Sequence, residues 1–98
     1  MARFDICRDT DGQTYLDVQA SVLSGLNTRL LVPLMPPDQA PSPARRLNPI
    51  FVVDGERLVM VTQYLAAVPT SELGSSIGSL VGYADEISAA LDMAFYGF

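Results

Sequence analysis

The sequence of 98 residues contains no histidine, no lysine and only one cysteine, Cys7. Histidine is the usual acid or base near neutral pH and the commonest metal ligand. A single cysteine can form neither an internal disulfide nor a multi-thiolate zinc site. We therefore expect no metal site and no histidine-based catalysis, and we interpret Cys7 as a small half-buried hydrophobic residue rather than a nucleophile.

Positive charge is also scarce. Six arginines stand against eleven acidic residues, for a net charge of -5, and residues 58–98 contain no basic residue. This half of the chain is therefore not expected to bind phosphate backbones by itself. Arg45 and Arg46 form the only basic pair, so their loop is a candidate site for an acidic partner, with a merely solvated loop as the alternative.

The chain has no run of 18 apolar residues and no basic stretch leading into an apolar segment at its start. We therefore expect a cytoplasmic protein with no membrane association. Its length suits one domain, residues 1–98, and 49% of the residues are apolar. That fraction predicts apolar surface left over for a partner.

Alternating residues predict two hairpins. The first spans residues 3–20 and turns at Asp11-Gly12, with Leu16 and Val18 facing inward and Asp17 and Gln19 outward. The second joins residues 50–53 and 57–62 through Asp54-Gly55, a dipeptide typical of a type I′ turn. A short strand is expected over residues 29–34, with Pro33 at its edge or end.

Six of the seven prolines fall within residues 33–49, which predicts a long, flexible loop over residues 35–49. A further loop is expected over residues 66–74, with one helical turn near Thr70 or Ser71. Apolar residues at a helical spacing then predict a helix from Gly82 to Phe95 with a single apolar face: Leu80, Ala84, Ile87, Leu91 and Phe95. Five short strands and one C-terminal helix indicate a small antiparallel barrel or strongly bent sheet.

Catalytic motifs are missing from the sequence. The acidic pairs flank predicted turns or open the helix, so structural roles explain them. Arg29 and Asp17 could serve a metal-free ribonuclease, because an arginine stabilises phosphate charge and a carboxylate acts as a base. An ion pair between neighbouring strands is the alternative.

The chain ends in Met-Ala-Phe-Tyr-Gly-Phe, without the basic residues that the last turn of a helix prefers. We assign Phe95 to the core because it continues the apolar face of the helix. Tyr96 and Phe98 follow the last packed turn, where either core packing or binding would account for them.

This ending, MAFYGF, together with LDVQ at residues 16–19 and RLLVPL at residues 29–34, resembles the CcdB toxins of toxin–antitoxin modules. LNP at residues 47–49, the hairpin IFVVDGERLVMVT and AAVPTSELG at residues 66–74 follow in the family's order, so that the resemblance covers nearly the whole chain.

The resemblance implies an SH3-like barrel of the CcdB and MazF type, forming a homodimer through its C-terminal helix. It places Ala89, Ala90, Met93 and Ala94 at the dimer interface. Members of the family bind the breakage-reunion subunit of DNA gyrase and trap the enzyme on cleaved DNA, without catalysis or cofactors of their own. Tyr96, Gly97 and Phe98 occupy the gyrase-binding positions.

The same resemblance implies a CcdA-like antitoxin that neutralises the toxin and represses the operon with it, as in plasmid maintenance modules. DNA is then contacted only through the antitoxin or gyrase. The antitoxin-facing positions match Val22, Leu23, Asp92, Phe95 and Tyr96. Two alternatives stay open: a MazF-type endoribonuclease using Arg29 and Asp17, and a homologue that binds antitoxin but no longer poisons gyrase, since Tyr96 replaces the family's common tryptophan and Phe98 an aliphatic residue.

Overall fold

All strands of the sheet pair in an antiparallel sense in the computed structural model, which describes residues 1–98. The strands are β1 (Asp5–Arg8), β2 (Thr14–Asp17), β3 (Thr28–Met35), β4 (Ile50–Val53), β5 (Glu56–Met60), β6 (Ala66–Pro69) and β7 (Gly78–Ser79). A single α-helix, α1 (Ala84–Tyr96), follows them, and 3-10 turns occupy Ser21–Leu23, Thr62–Tyr64, Thr70–Glu72 and Val81–Tyr83.

Both predicted hairpins are confirmed. In the first, Ile6 pairs with Leu16 and Arg8 with Thr14 across the turn. In the second, Val53 pairs with Glu56. The two residues between them, Asp54 and Gly55, have φ angles of 52° and 78°, as a type I′ turn requires.

Strand β3 lies at the centre of the sheet and pairs with β2, β5 and β6. The prediction that Pro33 lies at its edge or end is wrong, because the strand continues to Met35. Pairing with β6 stops at Leu31 and pairing with β5 starts at Leu34. Pro33 lies between these two ladders, where its carbonyl accepts a hydrogen bond from Val61 N at 3.0 Å, so its missing N–H costs the sheet little.

The sheet has seven strands rather than about five. Residues 66–69, predicted as loop, form β6 against β3, and the short β7 extends the sheet beside β1. β6 lacks strict alternation, and β7 has only two residues, so neither carries a clear sequence signal. The helical turn predicted near Thr70 is confirmed by the Thr70–Glu72 turn.

The main core lies between one face of the curved sheet and α1. The sheet contributes Ile6, Leu16, Val32 and Leu34 among others, and the helix contributes Ile87. The resulting half-barrel with a packed C-terminal helix confirms the predicted mainly β fold. The α-helix begins at Ala84, because Val81–Tyr83 forms a 3-10 turn, and it ends at Tyr96.

The opposite face of the sheet is covered as well, which corrects the prediction that Asp17 and Gln19 face outward. Both are fully buried, together with Cys7. Segments outside the strands cover this face. Gln19 donates a hydrogen bond from Nε2 to Leu23 O at 2.8 Å, and Gly74 N donates to Arg8 O at 3.0 Å.

Residues 36–49 contain neither helix nor strand, so the prediction of a long loop there is confirmed. Its end is tied to the sheet by Asn48, which is buried. Asn48 Oδ1 accepts a hydrogen bond from Ala44 N at 2.9 Å, and Nδ2 donates to Met60 O at 3.0 Å and to Gln63 Oε1 at 2.7 Å.

Candidate functional site

The end of α1 presents three aromatic side chains to solvent. Phe95, Tyr96 and Phe98 are 64%, 69% and 77% exposed. The assignment of Phe95 to the core is therefore wrong. Leu91 packs against the core, but Phe95, one turn later on the same face of the helix, is not part of the core and is mostly exposed.

Gly97 fixes the direction in which the tail leaves the helix. Its φ of 80° is left-handed, and its N–H donates to Met93 O at 3.0 Å, which closes the helix end. The reversal brings the rings of Tyr96 and Phe98 to a centroid distance of 6.4 Å. The two rings thus form one exposed aromatic pair.

An apolar groove of about 620 Å³ runs beside the last turn of the helix. Met93, Ala94 and Phe95 form one wall, and Leu47 and Leu65 belong to the opposite side. Such a groove is suited to receiving apolar side chains of a partner.

The structure corrects the set of residues predicted for the dimer interface. Ala90 is completely buried inside the protomer, where it packs in the main core, so it has no surface to offer a second chain. Ala89 and Met93 are half-buried, and Ala94 is exposed. These three remain available on the surface of the helix.

Val22 and Leu23 lie in the Ser21–Leu23 turn, and Val22 is 88% exposed. Buried Gln19 holds this turn in place, because its Nε2 donates to Leu23 O and its Oε1 accepts from Leu30 N at 3.1 Å. Asp92 is exposed on the helix, near Phe95 and Tyr96 in sequence. The predicted antitoxin-binding residues therefore form two patches, one on this turn and one on the helix end.

Asp17 and Arg29 form an ion pair buried on the outer face of the sheet. Arg29 is 4% exposed and Asp17 is fully buried. Arg29 Nη2 lies 2.6 Å from Asp17 Oδ2, and Nε donates to the same oxygen at 2.8 Å. The two residues therefore form an ion pair between neighbouring strands, which was one of the two interpretations of the sequence. The Asp17 carboxylate is buried, so a substrate could not reach it.

Cys7 cannot act as a thiolate near neutral pH. Burial raises the pKa of its thiol to about 11, and the negative charges of Asp17 and Asp9 add to the shift. Burial likewise raises the pKa of the Tyr15 hydroxyl. No three His, Cys, Asp or Glu side chains converge as metal ligands would.

The family model of the CcdB protein matches residues 3–97. The chain belongs to the CcdB family. The CcdB family consists of toxins of toxin–antitoxin modules, so the chain has the family's antitoxin as an implied partner. The match takes in the Ser21–Leu23 turn and the helix end as far as Gly97.

The chain is also similar to a solved structure described as an endoribonuclease from mycobacterial species. The TM-score is 0.76 at 15% sequence identity, and the match covers 97% of this chain and 90% of the other. Because the sequence identity is so low, the structural match shows a shared fold and nothing more. No helix of this CcdB chain combines the length and the apolar character needed to cross a bilayer.

Sequence reasoning missed three residues that shape the surface of this chain. Leu47 and Leu65 line the groove although they lie far from the helix in sequence. Gln19 shapes the Ser21–Leu23 turn from a buried position. The sequence shows only a polar residue next to a short loop. Alternation placed Gln19 on the outer face, and its burial became visible only in the structure.

Proposed function

We propose that this chain is a CcdB-type toxin that binds the breakage-reunion subunit of DNA gyrase through Tyr96, Gly97 and Phe98 and traps the complex of gyrase with cleaved DNA. The observation that carries the proposal is the exposed aromatic pair of Tyr96 and Phe98 at the helix end. Large aromatic side chains held in a defined geometry are typical of the residues that dominate binding energy at protein interfaces.

The chemistry of the tail suits this role. An exposed tyrosine ring can stack on a guanidinium group of the target, and Phe98 can enter an apolar pocket. Gly97 has no side chain to hold the target away, and its left-handed conformation directs Phe98 back toward Tyr96. No step of this mechanism requires a catalytic group in the toxin.

A homodimer would place two such tails on one particle. Ala89, Met93 and Ala94 offer small or flexible side chains for close helix approach, and the neighbouring groove adds apolar surface. A cognate antitoxin would neutralise the toxin by covering Val22 and Leu23 on one patch and Asp92, Phe95 and Tyr96 on the other. Shielding Tyr96 would block gyrase directly, and the toxin–antitoxin complex would repress its own operon.

The geometry argues against the endoribonuclease alternative. A general base must reach the proton that it removes, but the Asp17 carboxylate is buried and bound to Arg29 and to Gln19 N. The neighbourhood also lacks the cluster of cations that would hold an RNA backbone. Incubation of the purified protein with RNA tests this point, since cleavage that is lost in Arg29→Ala would favour the nuclease.

Removal of residues 96–98 is the decisive experiment. We expect the truncated protein to remain folded and dimeric but to lose inhibition of gyrase supercoiling and formation of the cleaved complex. Tyr96→Ala and Phe98→Ala should each weaken binding to the breakage-reunion subunit by about 30-fold or more, as substitution of an interface hot spot does.

Val52→Ala is the matched control, because Val52 is an exposed apolar residue on β4, away from the tail. It should inhibit gyrase as the unaltered protein does. A folded truncated protein with full inhibition would refute the proposal. An intact chain that binds antitoxin but not the gyrase breakage-reunion subunit would instead identify a homologue that has lost its target.

A further inference from the structure

A second cavity, of about 360 Å³, lies on the outer face of the sheet, away from the apolar groove. The segment containing Thr70, Gly74, Ser75 and Ser76 lines it together with Ser24. Arg29 also contributes to the lining, although the residue is almost completely buried. The cavity therefore has a cationic group at its inner end.

The hydrogen bonds of Arg29 are incomplete. A guanidinium group has five N–H donors. Asp17 Oδ2 accepts a hydrogen bond from Nε–H and lies 2.6 Å from Nη2, so this carboxylate engages two of the five. The other three N–H donors of Arg29, on Nη1 and Nη2, make no hydrogen bond within the protein. Buried donors without acceptors are costly, so an acceptor supplied from outside would be stabilising.

Hydroxyl groups line much of the rest of the cavity, beside the apolar side chains of Met1 and Leu73. Thr70 Oγ1 donates to Asn27 O at 3.2 Å and Ser76 Oγ donates to Gly78 O at 3.1 Å. The hydroxyls of Ser24 and Ser75 make no hydrogen bond within the protein, so both are free to donate to a ligand. Arg29, Ser24 and Ser75 together present donors to one ligand group.

These donors favour a carboxylate over a phosphate. Asp17 already balances the charge of Arg29, and the rest of the lining, which includes Met1 and Leu73, adds no further cationic side chain, so the site can accept at most a single negative charge. A planar carboxylate matches the geometry of a guanidinium edge. The lining also lacks an aromatic ring on which a nucleic-acid base could stack.

The surroundings indicate what carries the carboxylate. Val22 and Leu23 immediately precede Ser24 in sequence, and both expose apolar side chains. We propose that the Arg29 cavity binds an aspartate or glutamate side chain of the antitoxin's extended segment, while an apolar neighbour in that segment packs on Val22 and Leu23. The source of the carboxylate rests on the proposed function, whereas the affinity of the cavity for a carboxylate does not.

A peptide titration tests the cavity itself. The blocked peptide acetyl-Leu-Glu-Leu-amide is added to the ¹⁵N-labelled full chain, with acetyl-Leu-Gln-Leu-amide as its uncharged twin. We expect saturable shifts at Ser24, Gly74, Ser75 and Arg29 Nε, and binding of the glutamate peptide about tenfold or more tighter than that of the glutamine peptide, as for a charge-assisted hydrogen bond. Equal binding of the two peptides, no saturable shift, or tighter binding of inorganic phosphate or the dinucleotide UpU would overturn the proposal.

Ser75→Phe should fill the cavity without disturbing a buried residue, because Ser75 is exposed. Ser71→Phe is the matched control, since Ser71 is exposed in the same segment but does not line the cavity. We expect Ser75→Phe alone to lose glutamate-peptide shifts and to weaken binding of the cognate antitoxin segment about tenfold. Unchanged antitoxin affinity in a folded Ser75→Phe protein would overturn the assignment to the antitoxin.

Gyrase inhibition separates this inference from the proposed function. Ser75→Phe leaves the tail intact, so it should inhibit gyrase fully. Failure of the peptide and antitoxin tests with gyrase inhibition retained would refute the cavity alone, whereas loss of inhibition only on tail deletion would support the proposed function independently.

Discussion

At Phe95 the apolar face of the helix changes from packing in the core to exposure on the surface. Ile87, two turns earlier, is completely buried, and Leu91 packs against the core from a half-buried position. Phe95 continues the same helical face but is largely exposed and lines the apolar groove. Its side chain therefore contributes little to folding of the protomer and is free for binding.

We expect Phe95→Ala to lower the free energy of unfolding by less than about 1 kcal/mol, as exposed positions do. Ile87→Ala, the matched control on the same helix, should lower it by about 2–5 kcal/mol, because it leaves a cavity in the core. Urea unfolding followed by circular dichroism measures both values. If Phe95→Ala instead lowered the free energy of unfolding by about 2–5 kcal/mol, at protein concentrations where the chain is monomeric, Phe95 would have to pack inside the protomer.

Single residues were the hardest features to predict. The helical spacing correctly placed Leu80 and Ile87 in the core, but it could not show that the core ends before Phe95. Alternation likewise placed Asp17 and Gln19 on the outer face without showing that loops cover that face. Both errors arise because a periodic pattern defines the face of an element and not what lies over it.

At the scale of elements, the proline-rich loop is anchored mainly at one end. Asn48 makes three side-chain hydrogen bonds there: one with Ala44 within the loop, and two that connect the loop to β5 and to the Thr62–Tyr64 turn. Thr62 Oγ1 adds a hydrogen bond to Leu47 O. These contacts hold Leu47 at the wall of the apolar groove.

Asn48→Ala should lower the free energy of unfolding by about 1–3 kcal/mol, because buried partners of the amide lose their hydrogen bonds. Ser42→Ala, in the same loop but exposed, should change it by less than about 0.5 kcal/mol. Chemical denaturation of the two variants provides the comparison. Equal stabilities would mean that the loop is not anchored through Asn48.

Elements with strong local chemistry were predicted well. The Asp54-Gly55 turn and its flanking apolar runs specify the second hairpin completely, since the turn type and register follow from adjacent residues. β6 was missed because its residues, Ala66 to Pro69, have little strand signal and are ordered by pairing with β3. Pairing between distant segments has no signature within a short stretch of sequence.

At the scale of the whole molecule, the exposed aromatics do not result from loose packing. The accessible surface is 5601 Å², close to the roughly 5,500 Å² expected for a folded monomer of this mass. The apolar surplus is instead concentrated at the helix end, the groove and the Ser21–Leu23 turn. A compact protomer with such patches is typical of a protein that functions bound to others.

Ala94→Glu should weaken the proposed homodimer by about tenfold or more, because two carboxylates would be brought together in a desolvated interface. Ala2→Glu introduces the same charge at an exposed position outside the helix and the groove, and it should leave the dimer unchanged. Sedimentation equilibrium over a range of concentrations distinguishes the two variants. A dimer of undiminished affinity in Ala94→Glu would place the interface elsewhere.

Family membership and the fold were thus within reach of the sequence, since several motifs occur in the family's order and the family model spans residues 3–97. The grooves and cavities of the surface could not be predicted from the sequence, because they form between residues that are distant in the chain. Arg29 lies before the proline-rich loop and Ser75 well after it, yet they line one cavity. Only the three-dimensional structure brings such residues together.

The central position of β3 has a consequence for the speed of folding. Its partners, β2, β5 and β6, lie on both sides of it in sequence, and two of them follow the proline-rich loop. The two hairpins can form locally within microseconds, but β3 can complete its ladders only after that loop has closed. The chain should therefore fold in about milliseconds to seconds, as sheets dominated by long-range contacts do. Until the loop has closed, the apolar face of β3 remains exposed to solvent.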